Sequence, residues 1–217
     1  WSGCFRGFVL ASLLHSRTLE SLEVRDFRWL WISSMAAFVA MQMQMVARGW
    51  LVLDMTDSAF LVTAINAVGM LPMLMFSLHG GVIADRMNRR LVLIASDGFS
   101  LIIVMALAGL ILTHVIEVWQ VFALTIMHGV VFSLGMPARA ATVSNLVSHW
   151  DLASGVALFT TIFSSAQLIG PAMAGYLITD YGMGIPYVAA CVILVPAIAL
   201  LLNMKIPTTE PGSQAAP

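Results

Sequence analysis

The sequence predicts an all-α membrane protein of six transmembrane helices, and three observations predict it. Of 217 residues, 60% are hydrophobic and 10% charged, and mean hydropathy is +0.94. A soluble domain carries about 25% charge, so this chain cannot cover a water-facing surface around its own core. Cutting the sequence at its charges leaves six apolar stretches, each near or above the roughly 20 residues a helix needs to cross hydrocarbon. The connections between them are short, which makes neighbouring helices antiparallel and leaves no room for a soluble domain.

The first stretch, Trp29–Ala47, runs to Arg48, and the next charge is Asp54. Asp54, Thr56, Asp57 and Ser58 then offer helix-stop and N-cap chemistry. The second stretch is Ser58–Ala84, followed by a polar hinge over Asp85–Arg90. The third, Leu91–Ile116, is interrupted only by Asp97, and Thr113-His114 to Glu117 closes it. Val118–Ala138 is the fourth, and apolar character resumes after Arg139 to about Val147. Ser148-His149-Trp150-Asp151 leads to the fifth, Leu152–Thr179. Asp180-Tyr181-Gly182 leads to the sixth, Tyr181–Met204.

Lys and Arg set the expected orientation. An N-terminus in the cytoplasm puts Arg6, Arg17, Arg25, Arg28, Arg86, Arg89, Arg90, Arg139 and Lys205 on that side, and Arg48 alone lies toward the other. Residues 1–25 then form a cytoplasmic N-terminal segment, 26–204 the bundle, and 205–217 the start of a cytoplasmic linker. Phe8–Leu14 is too short an apolar core for a signal peptide. Both ends read as cut, since the chain begins with Trp1 and its tail is linker-like, so a fragment of a longer protein is expected.

Composition also excludes classes. Ten Lys+Arg against eleven Asp+Glu, a net charge of −1, carry no nucleic-acid signature. Cys4 and Cys191 make neither a disulfide framework nor a metal cluster, so no metal and no cofactor is expected. The fifteen methionines read first as packing residues that suit promiscuous apolar sites, not as a copper path. An intramembrane serine protease would need a Gly-x-Ser nucleophile turn and a partnered histidine, which no span offers. A non-transporting scaffold or truncated inactive product stands as the alternative to a transporter.

The strongest motif is Gly81-Val82-Ile83-Ala84-Asp85-Arg86-Met87-Asn88-Arg89-Arg90. Its glycine permits close backbone approach, Asp85 can cap the following helix, and Arg89 and Arg90 fall near phosphate headgroups. On the residues alone, the arginines either set topology and snorkel or form a working turn. Gly-x-x-x-Asp-Arg-x-x-Arg-Arg between the second and third of six helices resembles the signature loop of the major facilitator superfamily. Asn88 stands where that pattern has glycine, and asparagine also tolerates a left-handed turn. Gly49-Trp50 through Thr56-Asp57-Ser58, with Pro137-Ala138-Arg139, is similar to the branch containing enterobactin-type and drug exporters. The likeness runs from about Val24 to Pro207 and covers the N-terminal six of that family's twelve helices.

The resemblance implies two three-helix repeats, and Gly81 to Asp85 after Pro72 faintly echoes Gly175 to Asp180 after Pro171. It implies a missing C-terminal six-helix half, a small-molecule substrate, the bacterial plasma membrane, and export by alternating access. The turn containing Gly81, Asp85, Arg86, Arg89 and Arg90 would be the gate latch. Ala166-Gln167-Leu168-Ile169-Gly170-Pro171-Ala172-Met173-Ala174-Gly175 resembles the antiporter motif, with two glycines replaced by alanine. There Gly170-Pro171 would allow a bend and Gly175 close packing.

Mid-span polar groups are candidates for function. Gln44 and Arg48, four apart, share a face of the first helix, and Gln42 lies on an adjacent side. Asn66, His128 and Gln167 are the others. In the family the first, second, fourth and fifth helices would line the cavity. The fourth helix carries Thr125-Ile126-Met127-His128-Gly129 where drug–proton antiporters have Arg-x-x-x-Gly, so ordinary proton coupling is not expected. His128 would titrate in its stead or serve as a neutral packing residue. Asp97 lies roughly 10 Å, and Arg139 roughly 12 Å, from the cytoplasmic ends of antiparallel neighbours. A buried ion pair between them, or with the Asp85–Arg90 loop, is the expectation.

Overall fold

The computed structural model describes residues 25–86, 89–146 and 152–203. Six helices follow one another: α1 (Arg25–Thr56), α2 (Ala59–Arg86), α3 (Arg89–Leu112), α4 (Val118–Leu146), α5 (Leu152–Tyr181) and α6 (Ile185–Asn203). All described secondary structure is helical. Five of the six contain a stretch long and apolar enough to cross a bilayer, and α2 adds the apolar run Ala59–Met75. The protein is a multi-pass membrane protein.

Turn chemistry sets several of the ends. At the α1–α2 junction Asp57 takes a left-handed backbone (φ 50°), and its N–H donates to the carbonyl of Leu53. Ser58 Oγ then accepts from the N–H of Leu61, which caps α2. His114 (φ 56°) closes α3, and Gln120 Oε1 accepts the N–H of Glu117 in a reciprocal cap that opens α4. Gly182 (φ 94°) makes the turn from α5 to α6, where glycine meets no steric cost.

Three boundaries differ from the charge-delimited reading. The first helix runs through Arg48 and Asp54 to Thr56. Arg48 does not end it because the guanidinium turns sideways and donates from Nε to the Gln44 carbonyl one turn back (3.3 Å). The third helix stops at Leu112, and Tyr181 closes α5 so that α6 begins only at Ile185.

Packing crosses between the two halves of the bundle. The first helix lies mainly on α5 and α6, the fourth on α2 and α3, and α3 meets α6. This exchange is the contact pattern of two three-helix repeats related by a pseudo-two-fold axis. Lipid is as apolar as leucine, so close approach and polar contacts, more than burial of apolar area, hold such helices together. At Gly170 an added Cβ would sit 2.5 Å from Cβ of Gln42 and 3.0 Å from the Met43 nitrogen, which locks α5 onto the α1 backbone. At Gly129 it would sit 2.5 Å from the Gly69 carbonyl oxygen, the matching contact of α4 on α2. Gly175 has no such role: a Cβ there would meet nothing within 4 Å. Its neighbour Ala174 is the one fully buried in the core.

Candidate functional site

Two arginines within the bundle, Arg139 buried and Arg48 half-buried, organise two different sites. The end of the bundle where α1 begins and α6 closes, which also carries Arg90, is the basic end; the other is the far end. Arg139 lies on α4 seven residues short of Leu146, and Asp97 lies on α3 eight residues past Arg89. Helix rise puts them about 11 and 12 Å in from the basic end. Arg139 donates from Nη2 to Asp97 Oδ1 and from Nη1 to Ser34 Oγ of α1 (3.0 Å), and its guanidinium lies 5.7 Å from the centroid of the Phe38 ring. Arg139 and Asp97 are each 5% exposed. Three helices are thus clamped at one level.

Ser34 and Phe38 were not singled out from sequence. Ser34 sits nine residues past Arg25, about 13 Å deep, so its level alone could have identified it. Beside the clamp, a pocket of about 40 Å³ is bordered by Gln44, Ser96, Ser100 and Asp97. That is room for a water or two and no more.

The turn at the basic end is described only in part. Gly81, Asp85 and Arg86 fall in the last turns of α2 and Arg89 opens α3, but their side chains, with Met87 and Asn88, lie outside the described residues. Arg90 is described, and within the bundle it has a partner. Its Nη2 donates to the carbonyl of Leu202, tying the start of α3 to the last turn of α6 where a cation is favoured.

Toward the far end the bundle opens into a cavity of about 470 Å³. Its walls come from α1, α2, α4 and α5, with no residue from α3 or α6. Arg48, Asn66 and His128 line it seven to ten residues from the far ends of their helices, roughly 10–15 Å in. Gln42 and Gln167 line it deeper, each fourteen residues or about 21 Å in. Apart from Thr125, whose hydroxyl bonds its own helix, the rest of the surface is apolar, with Met41, Met45, Met70, Met73 and Met136 beside Phe132 and Phe163. A second hollow of about 420 Å³ shares Gln42, Met45 and Asn66 and runs past Gly49, Trp50 and Pro171.

Gln44 is the exception among the candidates. It is 2% exposed and borders the small pocket beside Asp97 instead of the cavity. Residues four apart on a helix are still turned about 40° from one another. On α1 that turn is enough to put Gln44 on the small pocket and Arg48 on the cavity.

Arg48 differs from Arg139 in its partners. Beyond its bond to the Gln44 carbonyl, its terminal nitrogens have no partner among the described residues, and no Asp or Glu lines the cavity. His128 and Tyr187 lie within its electrostatic reach. Tyr187 on α6 was also missed from sequence. Its ring is fully buried and its hydroxyl has no hydrogen-bond partner among the described residues. Asn66 donates to the Val62 carbonyl of its own helix (3.1 Å) and keeps its face to the cavity. Among the described residues, no group of histidines, cysteines and carboxylates could hold a metal.

Comparison with known proteins converges on membrane transport. A family described as transmembrane secretion effector matches residues 16–213. The chain is similar to the uncharacterized MFS-type transporter YfiS of Bacillus subtilis (25% identical over 88% of this chain and 41% of that one). It is also similar to the multidrug efflux pump Tap of Mycolicibacterium fortuitum (28%; 63% and 35%). A third is the staphyloferrin A transporter of Staphylococcus aureus (21%; 84% and 46%). The chain spans less than half the length of each of these relatives.

Proposed function

Because the chain belongs to the transmembrane secretion effector family of the major facilitator superfamily, we propose that it is the N-terminal half of a secondary exporter. That exporter would move small amphiphilic or hydrophobic solutes out of a bacterial cell by alternating access. One observation carries the reading: a cavity walled by α1, α2, α4 and α5, with polar groups at two depths on an otherwise apolar surface. Its 470 Å³ falls in the range of sites that enclose drug-sized molecules. Flexible thioethers let such a wall adapt to more than one shape.

In this mechanism a second six-helix unit closes over the cavity, and rocking of the two units exposes it to one side and then the other. The Arg139–Asp97–Ser34 clamp keeps α1, α3 and α4 moving as a rigid body. Arg90 is committed to α6 within this unit. That leaves Asp85, Arg86 and Arg89 as the groups proposed to latch against the second unit on the cytoplasmic side. Gly170 holds α5 on α1, and Pro171, whose missing N–H releases the Gln167 carbonyl, gives α5 a place to flex beside the cavity. Both ends of the chain face the cytoplasm, by the nine-to-one placement of its cations.

The test is uptake of a fluorescent amphiphile by inside-out vesicles from cells expressing the intact gene. Uptake above that of control vesicles, abolished by an ionophore that collapses the driving gradient, is the expected result. Uptake equal to controls for a panel of dyes would remove the exporter reading and favour a scaffold.

A further inference from the structure

An isolated guanidinium within a membrane protein is unfavourable unless something neutralises it. Arg139 has its carboxylate in Asp97. Arg48 has none among the described residues: its Nε donates to a carbonyl of its own helix, and it lines a cavity in which no described residue is an acid. His128 and Asn66 stand at the same depth and offer further hydrogen-bonding groups, whereas Gln42 and Gln167 lie about one and a half turns deeper. Between the two tiers and around them the wall is methionine and phenylalanine.

We propose that the transported molecule is an anionic amphiphile whose carboxylate or similar oxyanion pairs with Arg48 while its apolar body lies against the methionine wall. The inference rests on the exporter reading and adds the sign of the substrate's charge to it. The two terminal nitrogens of a guanidinium make a fork that two oxygens of one anion can accept. The pair would form in a site shielded from bulk water, where charge-assisted hydrogen bonds are strongest. A cationic solute would meet Arg48 as a like charge at the same level and be rejected. The competing occupant of that fork is a carboxylate contributed by the second half.

The experiment uses the intact gene product in vesicles of neutral phosphatidylcholine, so that no anionic headgroup competes. Three radiolabelled probes share one naphthyl body: 2-naphthoate, its methyl ester, and naphthylmethylammonium. Naphthoate is expected to bind at least about tenfold more tightly than the ammonium. Arg48→Gln should weaken naphthoate about 10- to 100-fold and leave the ester unchanged, with Arg48→Lys between. The ester doubles as the control for folding. Equal binding of naphthoate to the wild type and Arg48→Gln, with the ester still bound, overturns the anion inference and spares the exporter. Preference for the ammonium overturns it too and assigns the fork to an acid of the second half. Failure of all three probes to bind would overturn the exporter reading itself.

Discussion

The two arginines within the spans occupy the same bundle on opposite terms. Arg139 is sealed by a carboxylate, a serine hydroxyl and an aromatic ring, beside a pocket of about 40 Å³. Arg48 looks into about 470 Å³ with no acid in the lining. A cation within the membrane region costs about 2.5–3.5 kcal/mol near its centre. Among the described residues, Arg139 meets a carboxylate that offsets this cost and Arg48 meets only a carbonyl of its own helix. The contrast separates a charge that holds helices together from a charge held ready for something else, and it predicts that substitution will cost much stability at the first and little at the second.

The largest effect should come from opening the sealed site. Asp97→Asn leaves Arg139 uncompensated, and breaking a buried pair from one side costs about 3–5 kcal/mol. Thermal unfolding in detergent, followed by loss of the monodisperse peak on size-exclusion chromatography, should show a markedly lower midpoint. The double swap Asp97→Arg with Arg139→Asp should recover part of it. If Asp97→Asn were as stable as wild type, the clamp would be no clamp, and the two arginines would not differ in kind. Gly135→Ala comes next. An added Cβ would lie 2.8 Å from Ser96 Oγ, and Ser96 is held by its own bond to the Leu93 carbonyl. The overpacked α3–α4 seam should lose about 1–3 kcal/mol by the same assay.

What was legible beforehand divides along the same line. Charge spacing and turn residues were enough for six spans, because a charge facing lipid is excluded and a charge in a turn is not. Arg48 is neither: it lines a cavity within the first span, and α1 runs on past it to Thr56, in the turn that Asp54–Ser58 announced. Helix rise puts Asp97 and Arg139 on one level, since depth is a one-dimensional property of each helix. Rotation about the helix axis is less forgiving. Gln44 and Arg48, about 40° apart, line different pockets. Gly175 reads as a packing glycine by motif, yet Ala174, one position and about 100° away, is the one buried in the core. Ser34 and Tyr187 were not read at all, for serine and tyrosine fit an apolar span and only the helix opposite gives them a role.

A smaller effect belongs to Ser34. Removing its hydroxyl leaves the Arg139–Asp97 pair in place and deletes one interhelical hydrogen bond at 3.0 Å. Such bonds in membrane helices average about 0.6 kcal/mol, so Ser34→Ala should lower the unfolding midpoint only slightly. A loss as large as that of Asp97→Asn would mean that the serine, not the carboxylate, keeps the guanidinium in place.

Arg48→Gln should change stability least of all, by less than about 0.5 kcal/mol. The side chain's one recorded hydrogen bond goes to a carbonyl of its own helix, so no other element is left with an orphaned group when it is removed. Glutamine keeps a polar face toward the cavity and discards a charge whose burial this chain alone does not offset. The same detergent assay that registers Asp97→Asn therefore serves as the comparison, and the midpoints of Arg48→Gln and wild type should coincide. A clear fall would mean that Arg48 is tied into the fold through a partner beyond the described residues. A clear rise would measure how much stability the chain gives up to keep an uncompensated cation facing its cavity, the signature expected of a residue retained for binding and not for folding.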